Sequence, residues 1–497
     1  REARKKPKKQ IAQNEAKNTP ASTPPTTTPA AEPSTDTEGI LSVEEWHREV
    51  DSQGWERNPS EMELAHRLLD YLTPPGFPSP VADEGTLWRY SVSRGVWVDV
   101  SPAQVSRIID RWDAQGTEDK KKIRITEKAG KAARNLAMHL VEDVGFFSNA
   151  PRGVMLRSEF VRVDPVKRTV VIEPPSPDHR ARHKLDASPS APSDLLRGYL
   201  ASAHDGPDAQ EKVELMGQVA FSALAGLGTV LKKAVLLYGE KGTGKSQFLR
   251  LVQGLVPRAA QCTIDPQRMG EDYHCAALAS KTLNVVMDLE ADEFLKEGRL
   301  KAVVHGEPVQ ARQPRGEVFQ LWPIALHLFS ANNLPAAPGV SPAFWDRWLV
   351  VGFEKAWTGE ARAASEGAVQ DIAERILETD LGGVLQWAID CGRRLVANRN
   401  GYAIPESSRR LMREWQAEGD SVAAWLEDRA TILPRDTEHS ACAKAMTAYE
   451  DYKYWTDQNN YRPVNARKFK SRLQTCGVRA LKSSVANLYF LRLKSQH

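Results

Sequence analysis

An α/β fold is predicted, with a mainly parallel sheet at its centre, an α+β domain before it and a helix-and-hairpin domain after it. Three observations predict it. Between residues 232 and 354 short apolar strands alternate with helical stretches, the pattern of a sheet covered on both faces. One of those strands, Lys233 to Tyr238, runs straight into a glycine-rich loop that is followed by a helical stretch from Gln247. Outside this region the patterning changes, to hairpin strands from Gly85 and to helices with a closing hairpin after residue 430.

Taken from the start, residues 1–40 are Lys-rich and then Pro/Thr/Ala-rich, which gives them little to bury and predicts a basic, disordered linker. Residues 41–84 read as a short helical segment. Ser42 with Glu45 makes a capping-box pattern. Ser60 opens a second helix, in which Met62, Leu64, Ala65, Leu68, Leu69 and Leu72 form the apolar stripe and Pro74-Pro75-Gly76 the stop. An accessory α+β domain is expected at 85–204. It holds a hairpin from Leu87–Val92 and Gly95–Val100, helical pattern to Val144, strands at Gly153–Val163 and Arg168–Glu173, a Pro-rich irregular stretch, and a helix from Ser193. The core follows at 205–354 and a helical extension at 355–429. The tail at 430–497 reads as three helices and a hairpin, over Ser440–Asn459, Asn465–Cys476 and Ser484–Lys494.

Composition narrows the function classes. The net charge of +3 is small, so the molecule as a whole is no general polyanion binder, but charge is unevenly placed. Arg1, Arg4, Lys5, Lys6, Lys8 and Lys9 crowd the start, and the stretch from Tyr461 to His497 carries Arg462, Arg467, Lys468, Lys470, Arg472, Arg479, Lys482, Arg492 and Lys494 with no Asp or Glu. Such a face suits phosphate contact. Cys262, Cys275, Cys391, Cys442 and Cys476 have neither zinc-ligand nor secreted-disulfide spacing and are expected as reduced thiols in a cytoplasmic protein. No run of about 18 apolar residues is present, so no membrane association is expected. A chain that opens on Arg1 rather than Met is expected to be a fragment or a processed product, with room for a domain upstream.

The chemistry concentrates at Gly239-Glu240-Lys241-Gly242-Thr243-Gly244-Lys245-Ser246. In a strand–loop–helix context this is a P-loop: glycines let the backbone N–H groups turn inward onto phosphate oxygens, and the helix N-terminus adds its positive partial charge. Lys245 would reach the β- and γ-phosphates of ATP and Ser246 would ligate Mg²⁺. A second strand, from Thr282, ends in Asp288-Leu289-Glu290. One carboxylate can hold the Mg²⁺ shell, Asp288 being the expected ligand, and the other can orient the attacking water. Two apart on a strand, they would share a face; Asp292 and Glu293 follow as ordinary solvated acids. A third strand, Ile324 to Ser330, ends in Ala331-Asn332-Asn333, where an Asn beside the loop can sense the γ-phosphate. Arg347, just before the strand Leu349–Phe353, could reach a neighbouring subunit's phosphate as an arginine finger, with an ion pair inside the chain as the alternative.

In this order, the loop at Gly239, the acidic strand at Asp288, a Lys301…Gly306-Glu307 element, Asn332-Asn333-Leu334-Pro335 and Phe344-Trp345-Asp346-Arg347 resemble the superfamily 3 helicases of the AAA+ ATPases, most closely the phage, plasmid and poxvirus-type primase-helicases. The resemblance extends over residues 85–494, with Trp88 to Glu173 similar to that family's accessory domain and the tail similar to its C-terminal winged helix. It implies a ring, usually a homo-hexamer, that hydrolyses ATP between subunits and draws single-stranded DNA through its channel to unwind forks. Residue by residue, it implies Lys245 and Ser246 as phosphate and Mg²⁺ ligands, Asp288 or Glu290 as the acidic strand end, Asn332 as the sensor and Arg347 as the finger. The family carries a single Glu where this chain offers both Asp288 and Glu290.

The family also places a DNA-contacting hairpin before the sensor strand. Here Val309 to Val318 reads as one by itself, with Pro314-Arg315-Gly316 at its tip, and Arg312 and Arg315 suit phosphate contact without base reading. Lys301 lies on the helix before it. In the tail, Asn465 to Leu473 reads as an amphipathic helix with Phe469 and Leu473 inward and Arg467, Lys468, Lys470 and Arg472 outward, similar to a recognition helix. A structural cap on the motor is the other reading of that helix. The expected setting is replication in a host cytoplasm, and any primase activity is expected upstream of Arg1 rather than within residues 1–230. A packaging or protein-remodelling ATPase, and an origin-binding module with weak ATPase, are the alternatives.

Overall fold

The computed structural model describes residues 59–114, 125–289, 297–312, 318–335, 337, 342–355, 371–434, 436–459, 461, 463–482 and 487–494. The chain divides into units Arg1–Gly39 and Ile40–His497, and every described residue belongs to the second. The expected linker at 1–40, the Ser42–Glu45 helix start, Glu290, Asp292, Glu293, Arg315 and Arg462 lie outside the described residues.

The central sheet has five strands: β1 (Ala234–Tyr238), β2 (Gln261–Cys262), β3 (Leu283–Val286), β4 (Leu326–Ala331) and β5 (Trp348–Gly352). They pair in parallel in the order β5-β1-β4-β3-β2. The near-continuous apolar runs follow from this position, because β1, β4 and β5 are buried on both faces. Side chains alternate between two cores. Val235, Leu237, Leu328, Leu349 and Val351 face helices Ala209–Leu224, Lys245–Leu255 and Ile372–Ala397. Leu236, Phe329, Trp348 and Val350 face Leu300, Val303, Trp345 and Trp415 on the other side. Trp348 and Trp415 meet edge to face with ring centroids 5.2 Å apart.

The helix Ile372–Ala397 breaks at Asp380, whose backbone leaves the helical region. Its carboxylate accepts the N–H of Gly383 at 3.0 Å and of Ser193 at 2.7 Å, capping the second half and tying it to the helix Asp194–Ser202. The expected helical extension is thus packed into the same core as the sheet rather than set apart from it.

The expected break at Gly85 falls inside a hairpin. Val81–Asp83 pairs with Thr86–Ser91, which pairs with Val96–Asp99. The helix Glu61–Leu72 starts at the Ser60–Glu63 capping box, and Leu64, Leu68 and Leu72 share one core with Val100, Ile109, Trp112 and Ala137. Residues 59–84 and the segment after them therefore form one body. A second antiparallel sheet follows, Gly153–Met155, Phe160–Asp164 and Thr169–Glu173.

Glu84 pins these parts together. Its carboxylate lies 2.6 Å from Arg182, whose side chain is only 7% exposed and whose guanidinium sits 4.5 Å from the Phe147 ring centre. Removing one partner of a buried pair strands the other charge. Glu84→Ala is expected to lower stability by about 3 kcal/mol, read as a lower urea midpoint of the first unfolding transition.

The tail differs in detail from the expectation of three helices and a hairpin. Two helices follow residue 430, Ala445–Gln458 and Ala466–Thr475, and the third, Ser421–Arg429, precedes it. Asn487–Tyr489 is the middle strand of a sheet with Ala443–Lys444 and Ala480–Lys482, while Leu491–Leu493 pairs with Ala430–Ile432. The buried Phe490 separates the two pairings. Trp425, Tyr452, Phe469, Leu473 and Leu491 fill this domain's core. All five cysteines are free thiols, and no described helix is long and apolar enough to cross a membrane.

Candidate nucleotide site at the edge of the parallel sheet

The glycine-rich loop leaves β1 at the carboxyl edge of the sheet, where parallel strands open their crevice. The Phe353 N–H donates to the Tyr238 carbonyl at 2.7 Å, so the end of β5 braces the loop entrance. Only glycine fits at Gly239, because a Cβ there would stand 2.1 Å from the Phe353 carbonyl oxygen. Gly244, at φ +94°, turns the chain into the helix Lys245–Leu255. Thr243 braces the turn from within, its hydroxyl donating to the Glu240 carbonyl at 2.9 Å.

Among the described residues, no backbone N–H from Glu240 to Ser246 donates to an acceptor. These amides converge at the start of a helix, a concave array suited to phosphate oxygens. The Lys245 ammonium lies in the same loop, donating to the Gly239 carbonyl at 2.5 Å, the Glu240 carbonyl at 2.8 Å and Asn332 Oδ1 at 3.0 Å. Burial holds its pKa below the ordinary lysine value, and the Asp288 carboxylate pulls in the opposite direction. Ser246 is exposed beside it, in the first turn of the helix.

The register of β4 explains why Asn332 arrives there. Ala331 pairs with Tyr238, and the Gly239 N–H donates to the Ala331 carbonyl at 3.4 Å, so the next residue of β4 lies level with the loop. Asp288 arrives differently from the strand-end expectation. β3 stops at Val286, and Asp288 sits in the left-handed region at φ +54°. Ser330 causes the turn: its hydroxyl accepts the Asp288 N–H at 3.1 Å and its carbonyl the Leu289 N–H at 2.8 Å. The premise of an extended strand carrying two carboxylates on one face is therefore corrected. Ser330 itself escaped the sequence reading; its only signal was a hydroxyl near the end of a strand whose other polar residue is His327.

Arg347 is not part of this cluster. Trp348 pairs with Ala234, and the Ala234 N–H donates to the Arg347 carbonyl at 2.7 Å, which puts Arg347 at the amino edge of the sheet. Five residues of strand separate it from the loop, about 16 Å. Among the described residues its guanidinium makes no ion pair, and its Nε is buried without a hydrogen-bond partner. The alternative of an intrachain ion pair finds no support among them.

The hairpin flanks are in place: Val309–Arg312 pairs with Val318–Leu321, with Arg312 opposite Val318. Val309 and Ala311 point inward, Gln310 and Arg312 outward. Arg299, on the helix Glu297–His305, holds the hairpin through the Gln310 carbonyl at 3.2 Å and pairs with Asp272 at 2.8 Å. Sequence reasoning passed over it for Lys301, which is half-buried on the same helix. In the tail, Arg467, Lys468 and Lys470 are exposed, whereas Arg472 is half-buried and lies 3.6 Å from Asp420.

Three comparisons with known proteins bear on the chain. The model of a family of unknown function, DUF5906, matches residues 237–343, a span that holds the loop, Asp288 and Asn332 and stops short of Arg347. No curated protein matches. The chain is similar to solved structures of the C-terminal region of NrS-1. An A-form apo structure is 10% identical at a TM-score of 0.41, covering 88% of this chain and 100% of that one. A second apo structure of that region is 11% identical, also at a TM-score of 0.41, again covering 88% and 100%. Likeness of that depth carries no weight in the functional reading below, which rests on the residues.

Proposed function

We propose that the chain is the motor of an ATP-dependent DNA helicase of the AAA+ type, a ring-forming translocase that hydrolyses ATP between neighbouring subunits. One observation carries this reading: an amide-lined loop with Lys245 bonded to Asn332 at one edge of the sheet, and at the other an Arg347 without an ion pair among the described residues. A site that needs both halves closes only when a second copy brings its Arg347 to the loop. The donor set fits a nucleoside triphosphate with Mg²⁺. The 240–246 amides and Lys245 would hold the phosphates; the Ser246 hydroxyl and the Asp288 carboxylate would hold the metal, which characteristically binds few protein ligands and completes its shell with phosphate and water. The bound metal supplies neutralisation of charge on the phosphates. Asn332 would position the attacked phosphate, and its bond to Lys245 keeps both side chains aimed at one point.

DNA as the partner rests on Arg312 and the exposed Arg467, Lys468 and Lys470. The tail's helix pair and three-stranded sheet support the winged-helix reading, with Ala466–Thr475 as the recognition helix. Phage, plasmid or viral-type replication is the setting this function would serve. The test is ATP turnover with and without single-stranded DNA, alongside unwinding of a forked duplex. Stimulation by single strands together with fork unwinding is expected; stimulation by a protein substrate and not by DNA would sink the proposal.

A further inference from the structure

A second cavity lies far from the loop, at the amino edge of the same sheet. One wall comes from the sheet Gly153–Glu173 and the segment after it, the other from residues that lead into the core strands, such as Thr282 before β3 and Ile324 before β4. It is an open-mouthed cleft whose roughly 590 Å³ of non-atom space includes open solvent. Its charges are lopsided. Arg182 is matched by Glu84 at 2.6 Å. Arg180 is engaged by the Phe146 carbonyl at 2.7 Å and stacks 4.3 Å from that ring's centre. His183 donates to the Ser280 carbonyl at 2.5 Å; burial, then Arg182, push its pKa down to about 3, so it adds no charge at neutral pH.

Arg152 is left over. It lines the cavity half-buried, and among the described residues its guanidinium has no hydrogen bond and no carboxylate. Burial and the neighbouring Arg182 both work against its charge. A desolvated cation beside another cation calls for an anion, and the planar guanidinium fork matches a phosphate. The rest of the wall is mixed, with Met155, Phe160 (stacked on His179 at 4.1 Å) and Ile324 beside the polar Ser280 and Thr282.

We propose that this cavity binds a phosphate monoester, its phosphate on Arg152 and its apolar or planar body against Met155, Phe160 and Ile324. The phosphate has two sources to distinguish, a free mononucleotide or the 5′ end of a DNA strand.

The test is calorimetric titration of the full chain with thymidine monophosphate, in excess ADP so that the phosphate loop is filled. Saturable binding is expected, weakened at least about tenfold by Arg152→Gln, less by Arg152→Lys, and blocked by Ala150→Trp, which fills the cavity from its wall. Inorganic phosphate is expected to bind more weakly than the monophosphate. Circular dichroism and melting temperature check that each variant folds. Displacement of the probe by a 5′-phosphorylated oligonucleotide assigns the site to a DNA end; failure to displace assigns it to free mononucleotide. Absence of binding, equal affinity in Arg152→Gln and the unaltered chain, or equal affinity for inorganic phosphate would overturn the proposal. Loss in Lys245→Ala and not in Arg152→Gln would move the ligand to the loop. The proposal does not depend on the ATPase reading: if the loop binds nothing, ADP has no effect and the dependence on Arg152 is still read.

Discussion

Lys245→Ala is expected to reduce ATP turnover on the order of 10³-fold while leaving the fold intact. Lys245 is the only cation of the loop that is buried, and it is held by two backbone carbonyls, Gly239 O and Glu240 O, and by the side-chain Oδ1 of Asn332. The loop's other lysine, Lys241, is exposed. The amides from Glu240 to Ser246 survive the substitution, so part of the binding to ground-state phosphates should survive with them. What is lost is a charge placed where negative charge redistributes during phosphoryl transfer, and deleting one preorganised electrostatic partner of that kind costs about 10² to 10³ in turnover. The measurement is phosphate release at saturating ATP, with the dissociation constant for a fluorescent ATP analogue alongside. Fluorescence binding within about tenfold of the unaltered chain, with turnover gone, is the expected pair of results. Turnover within a factor of two would show that the loop is not the hydrolytic site.

How much of this was legible in the sequence depends on what decides each feature. β1, β4 and β5 were legible because burial on both faces forces unbroken apolar runs, and the hairpin flanks because Val309, Gln310, Ala311 and Arg312 alternate inward and outward. The loop was legible because its glycines answer to local sterics: Gly239 is excluded from carrying a Cβ by one neighbouring carbonyl. Features set by partners distant in sequence were not legible. The apolar run of β3 continues through Met287, and nothing local announces that Ser330 will pinch the chain into a turn at Asp288. The break expected at Gly85 follows a real change in patterning, but Glu84-Gly85 is a hairpin turn and the partner strand lies before it. Arg472 reads as one more outward cation until Asp420, the N-cap of the helix Ser421–Arg429 about fifty residues earlier, is brought to it. Arg347 shows the same limit most sharply. Its position before β5 says nothing about distance from the loop until the parallel register of β5 on β1 is known.

That register produces the second large effect. Arg347→Ala is expected to leave ATP binding unchanged and to reduce turnover of the assembled protein on the order of 10³-fold, the scale on which a trans arginine acts. A residue at the amino edge of β5, about 16 Å of strand from the loop, cannot reach a phosphate bound to its own chain. A merely structural arginine at that position would be expected to pair, and Asp346 stands next to it in sequence; yet the cation near Asp346 is Lys233, whose ammonium donates to the Asp346 carbonyl at 2.7 Å, and Arg347 keeps a buried Nε with no partner among the described residues. Mixing separates the two roles. If Arg347 serves its own chain, turnover of mixtures falls in proportion to the mutant fraction. If it serves a neighbour, each mutant subunit disables the loop of a subunit with an intact one. Mixtures of Arg347→Ala with Lys245→Ala should then show turnover that neither variant has alone, because some interfaces pair an intact loop with an intact arginine. Recovery of activity in that mixture, at the expense of none in either parent, is the result that only a shared site produces; a strictly additive series would place the function of Arg347 within its own chain.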